Sequence, residues 1–422
     1  MKSILAANIP HYYYSAQALQ SAGHLQRYIC AVGVRGEATW LRWLPDYWRR
    51  KLRGRDISGI DRNLTTSLWL PELMQRGFPR LGVMSSERGN WLNNHLFDLA
   101  ARRHVTACDV FHFVSSVGLY AARKARSVGA VVVCDGRTEY PDYQRRILAE
   151  ENHHLGLKTA ITGSLYDGKI KQEYALADYF ILPSGYAKRT FVEAGFDEER
   201  IFVLPYGVDD EIFFRDGSVA PEPDSTFRIV YAGQIVPRKG IHYLVRAFQQ
   251  LALPNTELLL LGRIDDAFYR YLRGVIKDDA RIKLPGSVPK QELRKRFNAA
   301  SVFILPSLSD SWGLVVAEAM ACGLPVIVTE NVGSKEMVRD GVDGFVIPMR
   351  SVTAIVEKLS LLYDNRALRR RMAEAACDQV RHFTWERYQQ GLLAVYAEIE
   401  RRERLSEKSD GRLSVGRSGV NG

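Results

Sequence analysis

The sequence predicts an α/β protein of two Rossmann-like, doubly wound domains facing across a cleft. Three observations lead there. Short apolar, β-branched runs alternate with longer helical patterns from end to end. Those runs are apolar on both faces, as strands of a parallel sheet covered by helices must be. And Ala177-Asp178-Tyr179-Phe180-Ile181-Leu182-Pro183-Ser184 is echoed by Ala300-Ser301-Val302-Phe303-Ile304-Leu305-Pro306-Ser307. Each copy follows a helical pattern and ends in a Pro-Ser turn before another helix, which reads as two similar halves and not as a solenoid repeat.

In the first half the strand runs are residues 3–9, 28–32, 110–115, 130–134, 179–182 and 201–204. In the second they are 227–232, 257–261, 302–305, 325–328 and 344–347, with helical patterns such as 240–251 and 290–299 between them. The polar, proline-bearing stretch Gly217-Ser218-Val219-Ala220-Pro221-Glu222-Pro223-Asp224-Ser225 reads as a linker. The expected organisation is one domain over 1–208, a second over 209–383, a helix over 384–405 packing back on the first, and a disordered polar tail over 406–422.

The 422 residues suffice for two cores, and 46% apolar with 25% charged residues is the mix of an ordinary globular enzyme. The net charge of +10 suits an anionic ligand, nucleic acid or acidic membrane surface without choosing among them. The five cysteines are odd in number, widely spaced and free of any C-x-x-C. That argues against a disulfide framework or zinc site and fits a reducing cytosol. The opening Met1-Lys2-Ser3-Ile4-Leu5-Ala6 runs at once into Pro10-His11-Tyr12 and reads as a first strand, not a leader. No run reaches the roughly 18 apolar residues of a membrane span.

Ligands of open α/β sheets sit beyond the carboxyl ends of the strands, and three such places in the second half carry chemistry. In Gly233-Gln234-Ile235-Val236-Pro237-Arg238-Lys239-Gly240, two glycines let backbone approach a ligand while Arg238 and Lys239 bring charge to a helix start. This is a diphosphate cradle, or a glycine turn with two solvated cations. In Ser307-Leu308-Ser309-Asp310-Ser311-Trp312-Gly313-Leu314-Val315-Val316-Ala317-Glu318, Asp310 lies in the loop after a strand and can accept from sugar hydroxyls. Glu318 can grip a ribose diol, and the amides of Gly313, Leu314 and Val315 would face a phosphate. Glu318 could also be a surface acid, but a carboxylate among Val315, Val316, Ala317, Ala319 and Met320 needs a partner. The third place is Thr329-Glu330-Asn331-Val332-Gly333-Ser334-Lys335-Glu336, where Glu336 either caps the following helix or touches ligand.

Taken together these residues resemble glycosyltransferase family 4. The likeness is strongest over 300–348, including Glu318-Ala319-Met320-Ala321-Cys322-Gly323-Leu324-Pro325-Val326-Ile327 and Asp340-Gly341-Val342-Asp343-Gly344-Phe345. It extends to Ser184, Leu204-Pro205-Tyr206-Gly207-Val208-Asp209, Phe213 and Phe383-Thr384-Trp385-Glu386, and is weakest across the first ~130 residues, where such families vary most. The resemblance implies the GT-B fold, an acceptor-binding first domain and a nucleotide-sugar-binding second one. It implies transfer of a hexose from a UDP- or GDP-sugar to a glycan or lipid-linked acceptor, with retention, as in bacterial cell-surface polysaccharide or lipopolysaccharide synthesis.

Carried over by position, the family's acidic pair falls on Asp310 for the donor sugar and Glu318 for the ribose. Its diphosphate-binding residues fall on Lys239 and Gln234. Gln234 stands where Arg is usual, with Arg238 as a neighbouring charge, and Asp310 stands where Glu is usual. The family often has a histidine near the reacting carbon. Here that region is Cys134-Asp135-Gly136-Arg137-Thr138-Glu139-Tyr140-Pro141, with Tyr140 where some relatives carry His. Asp135 would steady positive charge on the sugar or only orient the loop. His112, between Phe111 and Phe113, reads better as a core residue. There is no Asp-x-Asp triplet, so no cofactor and no metal are expected, the nucleotide-sugar being a co-substrate.

One segment speaks to partners. Between Trp40 and Arg55, Trp43, Tyr47 and Trp48 are interleaved with Arg42, Arg49, Arg50, Lys51 and Arg53. It suits an anionic membrane face, placing the protein peripherally on the inner side of the cytoplasmic membrane. It also suits a loop meeting the acceptor, or a solvated basic helix, and nucleic acid is not expected as a partner. The competing functions are a nucleotide-sugar epimerase of the same fold and a catalytically degenerate binder of nucleotide-sugar or nucleic acid.

Overall fold

The structure, a computed structural model, describes residues 1–36, 43, 55–71, 86–157, 164–217 and 226–417. Strand and helix alternate as expected. The elements built on the first sheet are β1 (Ser3–Ala7), α1 (Tyr13–Ser21), β2 (Leu25–Cys30), β3 (Thr65–Ser67), α2 (Ser86–Arg102), β4 (Val110–Val114), α3 (Leu119–Ser127), β5 (Val131–Asp135), α4 (Pro141–His154), α5 (Ser164–Leu176), β6 (Tyr179–Leu182), α6 (Gly185–Glu193) and β7 (Ile201–Val203). Those of the second are β8 (Phe227–Ala232), α7 (Ile241–Gln250), β9 (Thr256–Leu261), α8 (Asp266–Ile276), β10 (Ile282–Gly286), α9 (Lys290–Asn298), β11 (Val302–Leu305), α10 (Leu314–Ala321), β12 (Val326–Thr329) and β13 (Gly344–Ile347). Three helices follow: α11 (Val352–Asp364), α12 (Arg366–Val380) and α13 (Trp385–Arg417).

The sheet orders are β3-β2-β1-β4-β5-β6-β7 and β10-β9-β8-β11-β12-β13. The registered pairings run parallel. The central strands β1, β4, β6, β8, β11 and β12 are almost wholly buried, which accounts for their unbroken apolar runs. Two strands, β3 and β10, were not legible in the sequence. Both are edge strands. β3 is Thr-Thr-Ser, and β10 carries exposed Lys283 and Pro285, tolerated because an edge leaves one row of N–H groups unpaired.

By contacts the chain forms two compact units. One comprises Met1–Asp135, Leu165–Ile181 and Gln389–Gly422, the other Gly136–Ser164 and Leu182–Tyr388. The chain therefore passes between units several times, where the sequence reading placed one boundary near 208 and a return at 384. In the first unit Gln389 of α13 donates to the Tyr14 carbonyl at 3.1 Å and to Gln17 Oε1 at 3.0 Å. Of the polar tail over 406–422, the part to Arg417 continues α13. Once a helix is nucleated, each added residue gains a hydrogen bond at little cost, so a polar segment is carried along. Residues 418–422 lie outside the described residues.

The two halves of the internal echo diverge after the strand. Ser184 Oγ accepts from the Ala187 N–H at 3.0 Å and caps α6 at once. After Ser307 the chain makes a longer loop, and α10 starts only at Leu314. That extra loop contains Asp310.

Gly240 shows how tightly the second unit is built. It caps α7 at φ +65°, and a Cβ there would lie 2.0 Å from the Pro306 carbonyl oxygen. Gly274 lies inside α8 with open space where its Cβ would be. We expect Gly240→Ala to destabilise the protein by at least about 2 kcal/mol, combining left-handed strain with the backbone clash, and Gly274→Ala to stabilise it by about 0.5–1 kcal/mol. Urea unfolding at unchanged m-value checks both signs.

Candidate functional site

The second sheet reverses its winding between β8 and β11, and crevices of open sheets lie beyond the carboxyl ends of strands at such a point. Two loops meet there. One runs from Gly233 through a 3-10 turn, Pro237–Lys239, to Gly240. The other runs from Ser307 to Gly313, the residue before α10. They are tied backbone to backbone, the Leu308 N–H donating to the Arg238 carbonyl at 2.8 Å.

Their side chains form a charge cluster. Lys239 Nζ donates to Asp310 Oδ2, and the two side chains are only 11% and 13% exposed. Burial lowers the Lys239 pKa, although Asp310 opposes it. Burial also pushes Asp310 upward, but the charges of Lys239 and Arg238 and the Trp312 N–H together outweigh it and hold the carboxyl below its ordinary value. Asp310 is therefore ionised at neutral pH. Arg238 Nη1 donates to the Ser309 carbonyl.

The loop after β12 supports Asp310 from behind. The Asp310 N–H donates to the Asn331 carbonyl at 3.0 Å, and its carbonyl accepts from the Gly333 N–H at 2.8 Å. Glu336 does not cap the turn it sits in. Its two carboxylate oxygens accept from the Gly185 N–H at 3.0 Å and the Tyr186 N–H at 2.8 Å, so it caps α6. The sequence missed this because the capped helix is remote in the chain.

Gly313 adopts φ +77° and ψ +62°, the left-handed conformation that lets the loop turn into α10. Gly313, Leu314 and Val315 are partly exposed, so this helix start, whose first amides lack intrahelical partners, is open to a ligand. Glu318 follows on the second turn of α10. Burial pushes its carboxyl up to about 7, with Lys290 drawing it down and Asp209 up, and among the described residues it has no hydrogen-bond partner. Lys290 Nζ instead reaches Asp209 Oδ2 at 3.5 Å. Gly233 and Gln234 are exposed at the carboxyl end of β8, and the Gln234 carbonyl accepts from Tyr231 OH at 2.6 Å.

The structure thus brings Arg238, Lys239 and Asp310 into one cluster, with Gly233, Gln234, Gly313, Leu314 and Val315 on the loops that carry it. Glu318 is on the same helix beside Lys290 and Asp209. Asp135 belongs to the first unit, is 1% exposed and accepts from Tyr12 OH at 2.6 Å. His112 Nε2 lies 3.8 Å from Asp135 Oδ2, and His112 Nδ1 lies 3.1 Å from Tyr396 OH, so His112 is the core residue the sequence suggested. Trp43 is 84% exposed, whereas Trp48, Arg49 and Arg50 lie outside the described residues.

Two groups of residues had escaped the sequence reading. Ser309 Oγ donates to the buried Glu139 at 2.7 Å, and Ser311 Oγ donates to the Arg137 carbonyl. His242, on the first turn of α7, lies with Nε2 2.7 Å from Oε1 of the buried Glu151, whose Oε2 accepts from Arg350 Nε at 2.8 Å. The only available signal for Glu139 was its place just past the carboxyl end of β5. Among the described residues no group of three or more His, Cys, Asp or Glu is placed to hold a metal ion, and no helix is long and apolar enough to cross a membrane.

Comparison with known proteins bears on this geometry. The family model Glycosyltransferase Family 4 matches residues 11–212, and Glycosyl transferases group 1 matches residues 215–379. An uncharacterised glycosyltransferase of Methanocaldococcus jannaschii is 29% identical over 58% of this chain and 66% of its own length. A D-inositol 3-phosphate glycosyltransferase of Pseudarthrobacter chlorophenolicus is 34% identical over 46% of this chain and 49% of its own. The chain thus spans between about half and two thirds of the length of these curated relatives. Among solved structures, sucrose-phosphate synthase of Thermosynechococcus elongatus superposes with a TM-score of 0.69 at 17% identity, covering 95% of this chain and 100% of that one. An Anabaena protein solved with UDP-glucose gives 0.63 at 15% identity, covering 94% and 100%. At these identities the likeness establishes the fold.

A carboxyl raised to about 7 against an ordinary 4.5 binds more protons folded than unfolded. Its contribution to stability is therefore lost as pH rises from the unfolded value through the folded one. We expect Glu318→Gln to raise the melting temperature by a few degrees at pH 8 and to change it little at pH 4.5. Differential scanning calorimetry of both proteins across this window checks the sign.

Proposed function

Because this chain belongs to glycosyltransferase family 4, we propose that it transfers a hexose from a UDP- or GDP-sugar, held in its second unit, to a hydroxyl of a glycan or lipid-linked acceptor. The observation that carries this reading is the Lys239–Asp310 pair with Arg238 beside it, set on the two loops at the switch point of the second sheet and ahead of the open start of α10. Cations and helix amides converging on one place suit a diphosphate. The relative named D-inositol 3-phosphate glycosyltransferase supports sugar transfer, and the Anabaena structure with UDP-glucose supports a nucleotide-sugar donor.

The chemistry follows from charge. The bond from the sugar carbon to the phosphate oxygen breaks, and its electron pair leaves on the diphosphate. Lys239, Arg238 and the amides of Gly313, Leu314 and Val315 stabilise the charge that develops there. The oxygen of the acceptor hydroxyl bonds to the sugar carbon, and its proton goes to the departing phosphate oxygen. That oxygen stays on the face attacked, which yields retention. Asp310, ionised beside Lys239, orients sugar hydroxyls, and Glu318 binds the ribose diol. Fixed cations make a metal ion unnecessary for this step. The exposed Trp43 and the arginines that follow it in the sequence suit an anionic membrane carrying a lipid-linked acceptor. A role in cell-surface polysaccharide or lipopolysaccharide synthesis fits such an acceptor.

The test is a donor panel of UDP-, GDP- and dTDP-sugars, with release of nucleoside diphosphate measured with and without acceptor glycans. Acceptor-dependent release from one donor supports transfer. A free sugar isomer formed without acceptor would make the protein an epimerase, and no release from any donor would make it a binder. With the selected donor we expect Glu318→Ala to abolish nearly all turnover and Lys239→Ala to lower kcat about 100-fold or more. We expect EDTA to leave the rate within about twofold, since fixed charges replace the ion. Loss of activity restored by manganese would overturn the metal-free mechanism.

A further inference from the structure

Glu139 is a buried carboxyl that the mechanism does not use, yet it borders the charge cluster. It lies just before α4, is 1% exposed and belongs to the same compact unit as Lys239 and Asp310. Its Oε1 accepts from Ser309 Oγ at 2.7 Å, and its Oε2 accepts from Gln144 Nε2 at 3.1 Å. Ser309 is also the residue whose carbonyl receives the Arg238 guanidinium. One residue, adjacent to Asp310 in the chain, is thus gripped through its hydroxyl by Glu139 and through its carbonyl by Arg238. Tyr186 OH closes on the same hydroxyl at 3.5 Å, and Ser311 is tied to the Arg137 carbonyl next to Glu139. Burial pushes the Glu139 carboxyl up, against the pull of Arg238 and Ser309. Such a group is costly to bury unless it is hydrogen-bonded, and here Ser309 and Gln144 supply the donors.

We infer that Glu139 is a positioning residue for the donor site: by holding Ser309 it sets the Ser309 carbonyl, and through it the Arg238 guanidinium, in the orientation that receives the diphosphate. This rests on the donor-site reading above. Glu139 need not touch the donor. It acts on the loop that carries Asp310 and on the one cation, Arg238, whose planar fork must be aimed, whereas Lys239 is aimed by Asp310 itself. The same segment is anchored at its far end, where Glu151 holds His242 at the start of α7, so the phosphate loop is braced from both ends of α4.

The experiment measures binding of UDP and of GDP, each alone, to the full chain by isothermal titration calorimetry, followed by steady-state kinetics with the preferred donor. Losing a hydrogen bond to a charged group predicts that Glu139→Ala and Ser309→Ala each weaken nucleoside-diphosphate binding about tenfold or more. Because the two residues act as one unit, the double variant is no weaker than the worse single one. The loss falls on donor KM and kcat and leaves acceptor KM unchanged. Glu139→Gln, which keeps an acceptor for Ser309 Oγ, recovers binding to within about threefold. Ser309→Ala and Glu139→Gln keep the test decisive if Glu139→Ala fails to fold. Unchanged binding in Ser309→Ala, additive losses in the double variant, or equal rises in donor and acceptor KM would overturn the assignment. Lys239→Ala separates this from the reading beneath it. Binding lost in Lys239→Ala but intact in the Glu139 and Ser309 variants refutes the positioning role alone, whereas binding unaffected by Lys239→Ala refutes the donor site and the role together.

Discussion

The ion pair between Lys239 and Asp310 is the constraint around which the second unit's loops are arranged. Two mostly buried charges are tolerable only when each satisfies the other and their remaining lone pairs are met by hydrogen bonds. Here the backbone supplies them. The Trp312 N–H reaches the Asp310 carboxylate, and the main chain of Asp310 is held on both sides by the loop after β12. Removing either partner would leave a bare charge under protein, so the β8 and β11 loops cannot drift apart without a large cost. Nearby, Arg238 is the counterpart of Glu139, with Ser309 between them. Two cations and two carboxylates therefore share one crowded place, each cation ordered by its partner.

Glu318 illustrates the opposite economy. Among the described residues nothing satisfies it by hydrogen bonding, and its carboxyl is raised chiefly by burial and further by Asp209, against the pull of Lys290. Its helix is packed on other sides by the buried Val316, Ala317, Ala319 and Met320, so the carboxyl is a destabilising group where it stands.

The first unit handles its buried charges differently. Asp98 accepts from the Tyr120 and Ala121 amides, and Glu173 accepts from those of Ser116, Gly118 and Leu119, so both acids terminate the start of α3. Lys169 stands between them, 2.8 Å from Asp98. Tyr12, Asp135, His112 and Tyr396 form another enclosed chain of contacts, which joins β1's neighbour, two central strands and α13. In the first of these networks both acids are held by main-chain amides and by Lys169 inside the unit.

Much of this molecule could be read from local pattern. Runs such as Phe227–Ala232 and Val302–Leu305 are unbroken in apolar residues because both faces of a central parallel strand are covered, and that burial leaves a signature in adjacent residues. Gly233, Gly240, Lys239 and Asp310 were legible for the same reason, since each lies in the loop that follows such a strand. The strands β3 and β10 were not, because Thr65-Thr66-Ser67 and Ile282-Lys283-Leu284-Pro285-Gly286 contain no unbroken apolar run. Nor were the partners of Glu139, Glu151 and Glu336. Ser309 lies 170 residues from Glu139, and Gly185 lies 151 residues from Glu336. A carboxylate's partner across such separations is chosen by how the strands are ordered and the loops packed. No short-range periodicity records that choice, so the sequence determined the apolar strands, their order of occurrence and the residues at their ends, while the tertiary structure alone decided which of the buried charges became one another's counterparts.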